Sequence, residues 1–216
     1  MEIKKIAQNS LNFIIKRFVE LFGIIICVVG LLLLISLLSY SPEDPNFIFP
    51  DSSEIKNLVG FRGSFISDFF FQSIGFISIL FALSFIITGI IITKSKQVFI
   101  LIENLFIIII YSLAGSLFLT SFYNDSFLLS LNGSGGFIGK YLYSSILGDL
   151  INSNLTVSFY FLLILTLILF LLSVNFKINF FLNVLRSLRK FTLKKKLDKN
   201  ILEKETSLNE NNNFLK

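Results

Sequence analysis

The chain contains no His and no Trp, and it has only one Cys and three Pro among its 216 residues. The lack of His excludes mechanisms that require an imidazole base or ligand. The single cysteine, Cys27, excludes a disulfide framework and a cluster of thiolate ligands. Charged residues are scarce too: at 15% they fall well below the roughly 25% of a soluble domain. The sequence therefore predicts no metal site and no cofactor, and it is not typical of a soluble globular protein.

Apolar residues make up 54% of the chain, including 27 Phe, and they are concentrated in long blocks. Four blocks approach or exceed the roughly 20 residues that cross a hydrocarbon core. They lie at about 21–38, 69–92, 100–122 and 157–174. Water cannot satisfy backbone groups at that depth, so each block should be α-helical. The sequence predicts an all-α polytopic membrane protein whose four-helix transmembrane domain covers 18–175, with two long connecting loops at 39–68 and 123–155.

Lys and Arg are distributed unevenly between the two ends of these helices. Of the 19 in the chain, only Lys56, Arg62 and Lys140 fall in the two long loops. Cytoplasmic segments of membrane proteins carry the excess of basic residues. We therefore expect both termini in the cytoplasm and the two long loops, which hold seven acidic residues, on the outer side.

The polar ends of the chain are basic. Residues 1–17 form a basic cytoplasmic arm, and 176–202 combine basic residues with an apolar helical face, which predicts an amphipathic juxtamembrane segment on the inner leaflet. Its candidate lipid contacts are Arg186, Arg189, Lys190, Lys194, Lys195 and Lys196. Nucleic-acid binding is the alternative for this segment, although no aromatic stacking platform accompanies it. Residues 203–216 are polar and Asn-rich, which predicts a disordered tail or the start of a linker.

The two long loops carry distinct turn signals. All three prolines lie in 39–68, and Pro42 should end the first helix because it bars the preceding residue from the α region. The second loop has a Gly-rich stretch beginning at Gly133, but Ile138 stands where a G-x-G-x-x-G nucleotide-binding loop requires Gly. We predict instead a bend followed by a short amphipathic segment, 137–147, that lies on the outer leaflet or dips into the domain.

Glu103 is the only ionisable side chain near the hydrocarbon zone of a predicted span. Its place near the inner end of the third span favours an interfacial carboxylate paired with Lys96 over a proton or ion relay. Small residues also recur four positions apart in the spans, a spacing that allows close helix packing. The pairs are Gly23/Cys27, Ser78/Ala82, Ser84/Thr88 and Ser112/Ser116.

Four features together resemble the amino-terminal four-helix membrane domain of the FtsK/SpoIIIE DNA translocases. A basic arm precedes the first span, which ends in Ser39-Tyr40-Ser41-Pro42-Glu43-Asp44-Pro45, similar to the family's S-Y-x-P-x-D-P. The second stretch is similar to the family's N-x-x-G-x-x-G-A run, with Ser64 in place of Ala, and comprises Asn57, Gly60, Gly63, Asp68 and Gly75. The third, Gly135-Gly136-Phe137-Ile138-Gly139, matches its G-G-x-x-G. The resemblance covers about 15–175.

The resemblance implies an anchor and interaction domain in the bacterial inner membrane at the division septum, acting in cell division and chromosome segregation. It implies contacts with the bilayer and with other division proteins, and homo-oligomerisation. DNA would be engaged only through the family's ATPase motor, and the sequence contains no G-x-x-x-x-G-K-[ST], so we expect no catalytic or ATP-binding residues here. The candidate partner contacts are Tyr40, Pro42, Asp44, Pro45, Gly60, Gly63, Asp68, Gly135, Gly136 and Gly139.

A small polytopic transporter or channel subunit is the alternative function. It would require inverted repeats, broken helices and polar groups at mid-membrane, whereas the sequence offers no clear repeat and only Glu103 near a span. A membrane enzyme is a further alternative, and it would depend on paired surface acids such as Glu43 and Asp44.

Overall fold

Every regular element in the described part of the chain is an α-helix. The computed structural model describes residues 2–45, 54–125, 128–129 and 131–175. The helices are α1 (Glu2–Leu38), α2 (Gly60–Ile74), α3 (Ile77–Ser95), α4 (Phe99–Phe122), α5 (Gly136–Tyr143), α6 (Ile146–Ser153) and α7 (Leu155–Ser173). The predicted juxtamembrane segment 176–202, with its six candidate lipid contacts, and the tail 203–216 lie outside the described residues.

Four of these helices are long and apolar enough to cross a membrane: α1 over Gln8–Leu38, α3, α4 and α7. The predicted all-α class with four membrane-spanning helices is therefore confirmed. α1 runs antiparallel to α3, because Leu37 near its end clusters with Ala82 near the start of α3, whereas Gly23 lies against Thr93. We call the end of the bundle near Leu37 the cap end and the end near Thr93 the turn end.

The second span is shorter than the sequence predicted. One helix was expected over 69–92, but α2 ends at Ile74 and α3 begins at Ile77. The break occurs at Gly75, whose φ of 66° lies in the left-handed region that glycine adopts without steric cost. Residues 60–68, which were assigned to a loop, form the first turns of α2. The other predicted spans agree with α4 and α7 to within two residues at each end, whereas α1 begins well before the predicted start of the first span.

Glycines bring α1 and α3 close together. A Cβ added to Gly89 would meet the backbone nitrogen of Cys27 at 2.5 Å, and one added to Gly30 would meet the backbone nitrogen of Ile86 at 2.8 Å. Backbones at this separation exclude any larger side chain at either glycine. The Gly23/Cys27 spacing seen in the sequence therefore serves packing within the chain.

A buried hydroxyl cluster joins α3, α4 and α7. The Ser84 Oγ lies 2.8 Å from the Tyr111 hydroxyl and 3.0 Å from the Ser173 Oγ. The Ser84 and Tyr111 side chains are completely buried. In a bilayer such interhelical hydrogen bonds contribute about 0.6 to 1.7 kcal/mol each, because the separated helices also find some partners.

A second polar chain joins the same three helices toward the turn end. The Asn104 side-chain amide donates to the Thr88 Oγ1 at 2.9 Å, and its carbonyl oxygen accepts from the Asn175 amide at 3.0 Å. Asn175 follows α7 with a φ of 49°, a left-handed conformation common just after a helix end. The contact therefore ties the end of α7 to α3 through α4.

At the turn end, Lys96 forms an ion pair with a different acidic residue from the one predicted from the sequence. The Glu20 carboxylate lies 2.8 Å from the Lys96 Nζ and 2.5 Å from an Arg17 guanidinium nitrogen. The predicted pairing of Lys96 with Glu103 was wrong. α1 extends as far as the turn between α3 and α4, and it brings Glu20 next to Lys96 there. Glu103 is exposed in the second turn of α4, close to this end.

Candidate functional site

The three motif stretches that carry the family resemblance lie together at the cap end. We call the described residues between α1 and α3, and between α4 and α7, the cap. It contains α2, α5 and α6. Two independent stretches of chain meet in it, since the backbone N–H of Phe76 donates to the carbonyl oxygen of Ser134 at 2.9 Å. Four groups of contacts build the cap from these residues.

The first group surrounds the buried carboxylate of Asp44, which is only 3% exposed. Its two oxygens accept the backbone N–H groups of Lys56 at 2.8 Å and of Asn57 at 2.9 Å. The carbonyl oxygen of Pro45 beside it accepts a hydrogen bond from the Ser64 hydroxyl. Hydrogen bonds to a charged acceptor are the stronger class, so Asp44 fastens the Pro-rich turn to the stretch that leads into α2.

The second group clamps that stretch onto the last turn of α1. The Asn57 side-chain amide donates to the carbonyl oxygen of Ser36 at 2.8 Å, and the Ser36 hydroxyl donates to the carbonyl oxygen of Gly63 at 2.6 Å. Asn57 also turns its own chain, because its side-chain oxygen accepts the backbone N–H of Val59 at 3.0 Å, which is an Asx turn. A Cβ at Gly63 would collide with this Asn57 oxygen, which explains the requirement for glycine.

The third group links both stretches of the cap through Asp68 on α2. The Tyr40 hydroxyl donates to the Asp68 carboxylate at 3.1 Å, and the Gln72 amide donates to the same oxygen at 3.3 Å. Gln72 in turn accepts from the Asn132 amide at 2.9 Å. Burial raises the pKa of the Asp68 carboxyl, and it also raises the pKa of Tyr40, next to that carboxylate. Desolvation of both groups therefore favours their neutral forms.

The fourth group is the glycine loop, residues 133–139. It packs on α4 and on the break between α2 and α3. A Cβ at Gly135 or at Gly139 would collide with the Thr120 Oγ1 and the Ser116 carbonyl oxygen. A Cβ at Gly75 would collide with the carbonyl oxygen of Ser134. Glycine is needed here for close backbone approach. The resemblance to a nucleotide-binding loop therefore reflects packing of the loop against the bundle.

Most of the candidate partner contacts predicted from the sequence are thus turned into the cap. Buried members of the set are Asp44, Pro45, Gly63, Asp68, Gly135, Gly136 and Gly139. Tyr40 and Gly60 are partly exposed and Pro42 is exposed. Their role in binding a partner stays a prediction, but the contacts above give the buried ones a role within the chain: they hold the cap in one shape.

Sequence reasoning missed several polar residues that complete this arrangement. They are Ser36, Gln72, Asn132 and Ser134. Ser36 and Gln72 lie within apolar blocks, where a polar side chain must find a partner. A polar residue within an apolar block therefore predicts a buried hydrogen bond, but it does not identify the partner.

The cap also presents an exposed apolar surface. Leu58 is 79% exposed and Phe61 is 51% exposed beside the start of α2. On the other stretch Tyr123 is 55% exposed. Among the described residues no three His, Cys, Asp or Glu side chains come close enough to hold a metal ion. The arrangement is suited to presenting a fixed surface at a membrane interface, where aromatic side chains are favoured.

Comparison with known proteins agrees with this architecture. The family described as the 4TM region of DNA translocase FtsK/SpoIIIE matches residues 15–186. DNA translocase FtsK of Rickettsia prowazekii (strain Madrid E) is 34% identical over 67 residues, which are 31% of this chain and 9% of that relative. The chain therefore matches only a small part of that relative's length. No solved structure matches the chain.

Proposed function

Because this chain belongs to the family of the 4TM membrane region of the FtsK/SpoIIIE DNA translocases, we propose that it is the membrane anchor and interaction domain of such a translocase. In this proposal it lies in the bacterial inner membrane at the division septum and acts in cell division and chromosome segregation. It supplies no catalysis, and DNA is handled by a motor that this sequence does not contain. The observation that carries the proposal is the family match over 15–186.

The cap supports the interaction part of the proposal. An interaction domain gains affinity when its surface is already ordered, since less conformational entropy is lost on binding. The buried contacts of Asp44, Asn57 and Asp68 order the cap, and the exposed Pro42 and Leu58 lie on it. We propose that the cap faces the outer side, where it meets other division proteins, and that both termini are cytoplasmic, as the distribution of basic residues favours.

The bundle supports the anchor part. Two polar chains and the close contact of α1 with α3 join the four spanning helices. A force applied after α7 would therefore be shared among the spans rather than carried by one helix. Homo-oligomerisation belongs to the same proposal: large apolar areas of α1 remain uncovered, as at Leu32, which is 48% exposed. Lipid or a second copy would cover them.

A cross-linking experiment in dividing cells tests this function. A photoreactive amino acid is placed at Leu58, on the cap, or at Phe99, near the turn, two sites that are 79% and 78% exposed. We expect the cap site alone to give adducts that mass spectrometry identifies as division proteins with domains outside the membrane. Adducts with such proteins from Phe99 and not from Leu58 would contradict the proposal, as would their absence from both.

A further inference from the structure

We propose that the cap holds one anionic phospholipid molecule, with its phosphate at Arg62 and an acyl chain in a groove between α2, α3, α4 and α5. The inference goes beyond the anchoring function and does not depend on the division role. The lipid belongs to the leaflet on the cap side. Two observations carry the proposal: a partly open apolar groove, and a cation on the same face of α2 that has no ion pair among the described residues.

The groove has a volume of about 290 Å³. Its walls are mainly Phe and Ile side chains, interrupted by two small polar residues, Ser73 and Ser112. These small residues leave the space between the larger ones. Phe69, on the wall of the groove, is 64% exposed, so the groove opens to the surface of the chain.

The groove lies at the depth of lipid acyl chains. Leu113, on its wall, is nine residues from the cap end of α4, or about 14 Å along a helix that rises 1.5 Å per residue. Half of a hydrocarbon core is about 15 Å thick. The groove therefore extends from the cap toward the bilayer midplane, where water is absent and an apolar chain is the available occupant.

An exposed stripe of α2 leads from the groove to Arg62. Arg62, Ile66, Phe69 and Ser73 follow one another at spacings of four, three and four residues, which places them on one helix face. The first three are exposed, and Phe69 and Ser73 line the groove. Arg62 stands about 10 Å beyond Phe69 along the axis, so a lipid with its phosphate at Arg62 would run its chain along this stripe.

Arg62 differs from the other two basic residues of the cap in its contacts. Lys56 pairs with Glu43, and Lys140 donates to the carbonyl oxygen of Leu131 at 2.8 Å. Within the described residues Arg62 makes no ion pair and no side-chain hydrogen bond. A guanidinium presents paired N–H donors that match phosphate. Charge and shape together therefore favour an anionic phospholipid over a neutral one.

Tryptophan quenching by brominated lipid tests the site, because the chain has no Trp of its own. The reporter is Phe69→Trp in the groove, and the matched control is Phe161→Trp on α7. The two Phe side chains are 64% and 62% exposed. The whole chain is reconstituted in phosphatidylcholine containing increasing fractions of phosphatidylglycerol brominated on its acyl chains. Half-maximal quenching of the groove reporter should require a fraction of brominated lipid about fivefold lower than half-maximal quenching of the control reporter. A preference of about fivefold is what one basic residue near an anionic lipid is expected to give.

Two pairs of variants in the Phe69→Trp background separate the headgroup from the groove. Arg62→Gln should bring the quenching curve onto that of the control reporter, whereas Lys56→Gln, with the same change in charge, should not. Ser112→Leu, which fills the groove, should also remove the preference, whereas Ser121→Leu on the same helix should keep it. Superimposed curves for the two reporters would overturn the proposal. The proposal would also be overturned if brominated phosphatidylcholine quenched the groove reporter with the same preference as brominated phosphatidylglycerol. Unchanged quenching in Arg62→Gln would overturn it as well.

Discussion

The carboxylate of Asp44 should stabilise the cap far more than the neighbouring Glu43. In Asp44→Asn the side chain keeps one oxygen acceptor, and its NH₂ group faces the other backbone N–H, that of Lys56 or Asn57. The change removes a charge-assisted hydrogen bond and leaves a buried donor without an acceptor. Such losses cost about 2–3 kcal/mol. Glu43→Gln alters an exposed ion pair with Lys56, and such pairs contribute little.

Hydrogen exchange measures this difference at the amides that make the contact. A loss of 2–3 kcal/mol corresponds to exchange that is about 30- to 140-fold faster at the amides of Lys56 and Asn57 if the cap opens locally. Exchange in the interior of α3 and α4 should stay unchanged, which shows that the bundle remains folded. Glu43→Gln should leave exchange of the same two amides close to that of the unmodified chain.

Two results would refute the reasoning. Equal exchange at Lys56 and Asn57 in Asp44→Asn and Glu43→Gln would mean that the buried carboxylate does not hold this stretch. Faster exchange throughout α3 and α4 in Asp44→Asn would mean that the cap and the bundle unfold together. The cap would then not be a separate unit ordered by its own polar contacts.

Three further predictions concern other contacts. Burial raises the pKa of Asp68, so its contribution to stability is complete below the ordinary carboxyl pKa and is lost as pH rises through the raised value. Thermal unfolding at increasing pH above the ordinary carboxyl pKa should therefore show the unmodified chain losing stability relative to Asp68→Asn. Gly89→Ala would place a methyl group 2.5 Å from the backbone nitrogen of Cys27, and it should lower the free energy of unfolding in detergent by about 1–3 kcal/mol; an unchanged value would contradict the close α1–α3 contact. Asn104→Leu removes two interhelical hydrogen bonds and should cost about 1–3 kcal/mol, whereas Glu103→Leu, at an exposed neighbour, should not destabilise the chain in the same assay.

The sequence predicts the spans well where the apolar blocks have local boundaries. Pro42 and the polar residues around it follow α1 directly, and α1 ends at Leu38 as expected. The interruption at Gly75 lies inside a continuous apolar run, so hydropathy alone joins α2 to α3. The helix breaks there because Gly75 adopts a positive φ and Phe76 donates to Ser134, a residue 58 positions further along the chain.

In the cap, too, local sequence patterns identify the residues but not their partners. The motif residues could be found from their spacing, but Asp44 and Asp68 look like solvated loop acids until the partners that bury them are known. Asp44 meets Asn57 and Asp68 meets Tyr40, and the fold brings each of these partners from a separate segment. The positions of Arg62 and of the groove depend on how α2 packs against α3 and α4, which no local pattern predicts.

Imaging of a fluorescent fusion in dividing cells tests the central claim most directly. A fluorescent protein that matures only in the cytoplasm is fused after Lys216 and expressed in the source organism or a close relative. The account predicts a bright band at mid-cell, which requires both a cytoplasmic carboxyl end and recruitment to the septum. A dark fusion that is present in the membrane fraction would contradict the topology. An even signal around the envelope would contradict the claim that these residues anchor the protein at the division site.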